Sequence, residues 1–185
     1  MKNFLPTRIL IMMYYAHFHS YLNYSSHFLS MLPCKVFNRI RNLQKRAIRA
    51  VYKKSHLAHT SNLFKESRIL PLDDLIRYNI LNFMSLFSSN SLPNAFKEEW
   101  KYNYEISLQY LLRNANDIYE FKLSSNSLKK HPLFNFPLTW NKFKDEMKQI
   151  SYPPLFKRKL KCKLIDEIND EICKNKNCYS CFGRT

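Results

Sequence analysis

Glycine is almost missing from this chain: Gly183 is the single one in 185 residues. Type I′ hairpins, Gly-rich phosphate cradles and dinucleotide-binding turns all depend on glycine, so tight β-hairpin architectures, P-loops and dinucleotide folds are disfavoured. Acidic side chains are also scarce. Against 30 Lys and Arg there are 14 Asp and Glu, a formal charge of +16. That imbalance favours RNA, DNA or an anionic membrane surface as partner. Long apolar runs are absent too. Ile9 to Ala16 falls well short of the roughly 20 residues of a transmembrane helix. Lys2 and Arg8 flank its start, but no A-x-A-like cleavage site follows, so it reads as a core helix and not a signal peptide. With no export signal, Cys34, Cys162, Cys173, Cys178 and Cys181 read as reduced thiols of an intracellular chain, its compartment open and the nucleus among the options.

Signatures of catalysis are missing as well. His17, His19, His27, His56, His59 and His131 show no HExxH or similar ligand spacing, and no G-x-S-x-G elbow exists. Asp73-Asp74 invites comparison with the paired aspartates of two-metal polymerases. The pair follows Pro71-Leu72 and opens an amphipathic stretch, where carboxylates favour a helix N-terminus. Cys173-x4-Cys178-x2-Cys181 could fill three positions on zinc, with Cys162 or a partner residue as the fourth, but no histidine follows His131. Free thiols on a flexible tail are the expectation, with no cofactor and no enzymatic activity of the chain's own.

What is present suits a folded protein. Hydrophobic residues make up 45% and aromatics 15%, which allows one core or one core with an appendage. An A/T-biased coding sequence would itself enrich Lys, Asn, Ile, Phe and Tyr and deplete glycine. The patterns still indicate a mainly α fold, an irregular helical bundle with little or no β, ending in a flexible Cys-containing tail. Thr7 is the expected N-cap of a helix to about Leu22, and Tyr24 to Pro33 reads as a break. Thr60 or Ser61 caps a short helix through about Arg68. Pro71 opens a second strong helix with Leu72, Leu75, Ile76, Ile80, Phe83, Met84 and Phe87 as its stripe. Ser88 to Pro93 reads as a linker. Glu105–Leu111 and Ile118–Leu123 read as short strands or frayed helix, and Thr139–Ile150 as a short helix after Pro137. Pro153-Pro154 introduces a last helix with Phe156, Leu160, Leu164, Ile168 and Ile172 spaced at four. The resulting segments are 1–88 (helical), 89–137 (linker and poorly periodic), 138–172 (C-terminal helices) and 173–185 (Cys-containing tail).

The most informative stretch runs from Cys34 to Lys54. Phe37, Ile40, Leu43, Ala47, Ile48 and Val51 recur at helical spacing and define one face that wants burial. Lys35, Arg39, Arg46 and Lys53 line one edge of it, and Arg41, Lys45 and Arg49 the other. Unpaired like charges at i and i+4 repel, so helix stability does not account for them. A polyanion does; a solvated basic face is the alternative. The last helix repeats the theme. Lys157, Arg158, Lys159, Lys161 and Lys163 crowd its first turns, while Asp166, Glu167, Asp170 and Glu171 fill the last, both against the helix dipole. Phosphate contact or packing geometry alone would explain that order.

The order of residues adds a resemblance. Asn42-Leu43-Gln44-Lys45-Arg46-Ala47-Ile48-Arg49 resembles the "LQKRAIR" segment downstream of the polymerase core in reverse transcriptases of non-LTR retrotransposons, jockey-like elements especially. Tyr14 to Tyr24 is similar to the family's "YY-small-x-x-H-x-x-L-x-Y" helix, and His59 to Leu72 to its "HT-x-x-LFKE…IL-x-L" block. Leu92-Pro93, Phe136 to Asn141 and Phe156 to Lys161 resemble its "LP", "FP-x-x-WN" and "FKR-x-LK" blocks. The blocks keep the family's order over nearly the whole chain. The resemblance implies a thumb-like 1–88 segment and a C-terminal portion without the catalytic palm, a fragment of an RNA-directed DNA polymerase. Its partners would be the RNA or DNA backbone and the missing polymerase core. Arg39, Arg41, Lys45, Arg46, Arg49, Lys157, Arg158, Lys159 and Lys161 are the expected phosphate contacts. A degenerate transposon remnant, or a basic helical protein acting on membranes or acidic partners, are the alternatives.

Overall fold

The computed structural model describes residues 5–96, 98–106, 115–121, 124–125, 128–143 and 145–168. They are mainly helical, with no sheet among them. The α-helices are α1 (Thr7–Tyr14), α2 (Ser20–Leu29), α3 (Cys34–Val51), α4 (Ser61–Ser67), α5 (Leu72–Ser88), α6 (Asn103–Ile106), α7 (Pro132–Asn141), α8 (Asp145–Lys148) and α9 (Pro153–Asp166). Two compact units divide the chain, Met1–Ile76 with Lys161–Thr185 and Arg77–Leu160. Among the described residues no helix is long and apolar enough to cross a membrane.

In the first unit, α1 continues into α2 through a π-helical turn, Tyr15–His19, where the Ser20 N–H reaches back to the Tyr15 carbonyl. Pro6, in extended conformation, occupies the N-cap position expected for Thr7, and its carbonyl accepts from the N–H groups of Ile9 and Leu10. The expected break from Tyr24 is helix as far as Leu29. Serine there looks like loop composition, but its hydroxyls are satisfied inside the helix. Ser25 Oγ donates to the Tyr21 carbonyl at 2.7 Å and Ser26 Oγ to that of Asn23 at 2.9 Å, so neither competes for the backbone N–H groups.

The core of this unit joins Tyr14, Ile48, Val51, Leu63, Phe64, Ile69 and Ile168. At its edge Gln44, fully buried, donates from Nε2 to the Tyr14 hydroxyl at 3.1 Å and to the Leu70 carbonyl at 3.0 Å. Burial pushes the Tyr14 hydroxyl up to about 12, the Gln44 hydrogen bond opposing that shift in part. Leu43, expected on the buried face, is 49% exposed. The inward row runs Ile40, Gln44, Ile48, Val51, in steps of four, four and three; Leu43 lies about 100° to one side.

With no glycine available, three helices end on side-chain-bearing residues at positive φ: Lys53 (53°), Arg68 (53°) and Asn90 (54°). Each closes a Schellman motif. After α3 the N–H of Lys54 bonds to the Arg49 carbonyl at 2.9 Å and that of Lys53 to Ala50 at 3.3 Å. After α4, Ile69 and Arg68 bond to Phe64 and Lys65 in the same pattern. Ile69 and Phe64 then pack in the core, the apolar contact that completes the motif.

In the second unit, Phe83 and Phe87 of α5 meet Trp100, and Phe83 and Trp100 both meet Phe136 of α7, with ring centroids 5.5–6.1 Å apart. Helix α7 starts at Pro132 and carries Pro137 in its interior, where a start after Pro137 was expected. Proline removes the N–H that would bond to the carbonyl four residues back. That carbonyl belongs to Leu133, and the Trp100 indole Nε1–H donates to it at 3.0 Å. His131 Nδ1 caps the helix by accepting from the Leu133 N–H at 3.4 Å. At the other end Asn141 grips the backbone of Ile118, accepting from its N–H at 3.0 Å and donating to its carbonyl at 2.7 Å. Of Glu105–Leu111 and Ile118–Leu123, expected as short strands or frayed helix, Glu105 and Ile106 close the four-residue helix α6 and Ile118 bridges to Tyr102, while 107–111 and 122–123 lie outside the described residues.

Replacing Trp100 by Phe is expected to leave the Leu133 carbonyl unpaired and to cost about 1–3 kcal/mol. Adding Pro137→Ala, which restores a backbone donor, should recover part of that loss; chemical denaturation of both variants checks it. Lys53→Gly should stabilise the chain by about 0.5–1 kcal/mol, the relief at positive φ exceeding glycine's entropic cost.

Candidate nucleic-acid interface

Tertiary structure sorts the cations of α3 into two groups. Lys35, Arg39 and Arg46 are exposed. They lie close to one line on the helix, opposite Gln44, with Arg39 and Arg46 about 10 Å apart along the axis. The other group has been drawn into the fold. Arg41 forms a two-pronged pair with Asp73 of α5, Nε to Oδ2 at 2.9 Å and Nη2 to Oδ1 at 2.6 Å. It also donates to Asn38 Oδ1 at 3.0 Å and covers the Phe37 ring. Asp73 sits in the first turn of α5 and faces an arginine.

Arg49 departs further from expectation. By helical angle it belongs to the solvent side, yet it is 7% exposed and its Nε donates to the Ala58 carbonyl at 2.8 Å. The cause is the Schellman turn at Lys53, which folds the following segment back over the last turn of α3. A side chain committed to a backbone carbonyl under a loop serves the fold, and Arg49 is not part of the exposed basic line of α3. Lys45 is half-buried. Lys53 and Lys54, next to the turn, are exposed. No Asp or Glu precedes Glu66 in the chain, so carboxylates reach this surface only through tertiary contacts such as Asp73.

On α9, Lys157, Arg158 and Lys159 are exposed, and Phe156 and Leu160 are fully buried between them. Lys161 is half-buried. Burial holds the imidazole of His19, in the first unit, below its ordinary range, and the charge of Lys161 adds to that shift. His19 stacks edge-on against Tyr15 at 5.0 Å, and its Nδ1 is buried with no protein partner among the described residues. His27 is likewise lowered by burial.

No group of three or more His, Cys, Asp or Glu among the described residues could hold a metal ion. Cys34 and Cys162 are exposed free thiols, while Cys173, Cys178 and Cys181 lie outside the described residues. The blocks that carry the family resemblance divide between packing positions and exposed ones such as Tyr24, Leu43 and Arg46. Tyr14, Gln44, Leu63, Phe64, Ile69 and Leu70 are buried in the first unit. Leu92, Phe136, Trp140, Phe156 and Leu160 are buried in the second. No family model matches the chain, and no curated protein or solved structure does so.

Both lowered imidazoles bear on stability. Below about pH 6.5, the ordinary histidine value, the unfolded chain takes up protons that the folded chain resists, so stability falls as pH falls. The melting temperature should therefore drop between about pH 7 and pH 5, and His19→Gln should flatten that dependence.

Proposed function

We propose that the chain is a non-catalytic, basic segment that binds the sugar–phosphate backbone of RNA or DNA, related to the region beyond the palm of non-LTR retrotransposon reverse transcriptases. The observation that carries this reading is the exposed line of Lys35, Arg39 and Arg46 on α3, in a chain whose first carboxylate is Glu66. Cations so placed contribute little to folding, because exposed like charges at helical spacing repel. Displacing condensed counterions from a polyanion gives them a use. Lys157, Arg158 and Lys159 supply a second exposed cluster. Backbone contact of this kind carries little sequence information.

The proposed kinship is supported by the order of the blocks along the sequence. Tyr14, Gln44 and Leu70, drawn from three separate blocks, share two hydrogen bonds. A second reading takes the chain as an interaction segment for a further body of protein, such as the polymerase core that the resemblance implies. Met12 (60% exposed) and Met13 (47%) on α1 favour it.

Affinity for RNA or DNA is expected to fall steeply with salt. Arg39→Gln with Arg46→Gln should reduce the log–log slope by about 1.8 on duplex DNA, at about 0.9 for each phosphate no longer neutralised. Arg49→Gln should instead lower the melting temperature and leave the slope unchanged. Salt-insensitive or undetectable binding to both nucleic acids would overturn the proposal.

A further inference from the structure

Helix α2 presents three aromatic rings to solvent: Tyr21 is 73% exposed, Tyr24 89% and Phe28 69%. Their spacing, i, i+3 and i+7, puts them on one face, the side away from the buried Leu22, Ser26 and Leu29. Successive rings are about 4.5 and 6 Å apart along the axis. Isolated exposed apolar residues are ordinary, but an aligned row of large rings marks a contact surface. The row leads directly into the basic line of α3. The chain turns at Ser30–Pro33, with the Met31 and Leu32 N–H groups bonded to the carbonyls of Phe28 and Leu29. Helix α3 then runs back until Gln44 meets Tyr14. Tyr24 and Phe28 lie within about 8 Å of the end of α2, and Lys35 and Arg39 within about 8 Å of the start of α3, measured along their axes. Rings and cations therefore share one end of a helical hairpin.

We infer that this end of the hairpin is a single-strand site. Bases of an unpaired RNA or DNA segment stack on Tyr21, Tyr24 and Phe28, while Lys35 and Arg39 hold the adjoining phosphates. The inference rests on the nucleic-acid reading above and adds to it the state of the strand. A duplex keeps its base faces stacked inside and can use only the cations; unpaired bases can use both. Charge weighs against two other occupants, a second copy and a membrane. A second copy of the chain would bring two surfaces of a +16 protein together. A membrane-surface helix places Lys or Arg along its own polar face, and no Lys or Arg lies between Arg8 and Lys35.

Fluorescence anisotropy with the full chain tests this, using a labelled single-stranded oligouridylate, a single-stranded oligothymidylate and a blunt RNA duplex of equal length. The triple variant Tyr21→Ala, Tyr24→Ala, Phe28→Ala should weaken single-strand binding by about tenfold per ring in contact. Duplex affinity and the salt slope should stay as in the parent chain. Tyr24→Phe should retain single-strand affinity, since it keeps the ring. The rings are exposed, so an unchanged thermal melt is the expected control; Tyr24→Ala alone serves if the triple variant melts early. Equal loss on strand and duplex, or no loss on either, would overturn the single-strand site while leaving backbone binding in place. Absence of binding to all three probes would overturn both. Ring-dependent binding to phosphatidylserine vesicles, or ring-dependent dimers in sedimentation, without a single-strand effect would assign the face to a membrane or to self-association and likewise overturn the inference.

Discussion

A buried amide holds the first unit in register. Gln44 reaches from α3 to the Tyr14 hydroxyl and to the Leu70 carbonyl, so one side chain ties together segments 30 and 26 residues away in sequence. Buried polar groups are costly unless paired. Rotating α3 away from this register would leave the Leu70 carbonyl and the Gln44 amide both unpaired. The orientation of the helix is thereby set, and so is the identity of the side chains that face outward. Opposite Gln44 lie Lys35, Arg39 and Arg46. The basic surface of α3 follows from how its buried face is pinned.

Elsewhere side chains supply what the backbone lacks. Glycine is not there to end helices, so Lys53, Arg68 and Asn90 take the left-handed position. Each of those turns redirects the chain, and the one at Lys53 brings Ala58 over Arg49. Proline interrupts α7, and the Trp100 indole provides the missing donor. Asn141 acts as a short stretch of strand for Ile118. Several of these devices use residues that composition alone would assign to function or to loops.

That substitution explains which parts were legible in the sequence. Helices α3, α5 and α9 announced themselves because their apolar spacing is regular and their caps or prolines are placed conventionally. Gln44 was hidden by its polarity, although its place four residues from both Ile40 and Ile48 put it at the centre of the stripe. Serines concealed the length of α2, and Pro137 concealed the start of α7, since both depend on partners that only the fold supplies. Among the candidate contacts, Arg39 and Arg46 could be placed on the surface from helical angle alone. Arg41 and Arg49 could not, because Asp73 and Ala58 reach them through tertiary contacts. The aromatic row of α2 lay in a stretch read partly as a break, where helical alignment had no meaning.

Four arginines of one helix thus divide into two that serve the fold and two that face solvent. Side-chain Nε–H nuclear magnetic resonance of the labelled full chain, recorded with and without single-stranded RNA, measures that division directly. The Arg41 and Arg49 signals should be protected from exchange in the free protein and unmoved by RNA, while those of Arg39 and Arg46 exchange fast and shift on binding. An Arg49 signal that exchanges freely and shifts with RNA, beside unmoved signals from Arg39 and Arg46, would contradict that division.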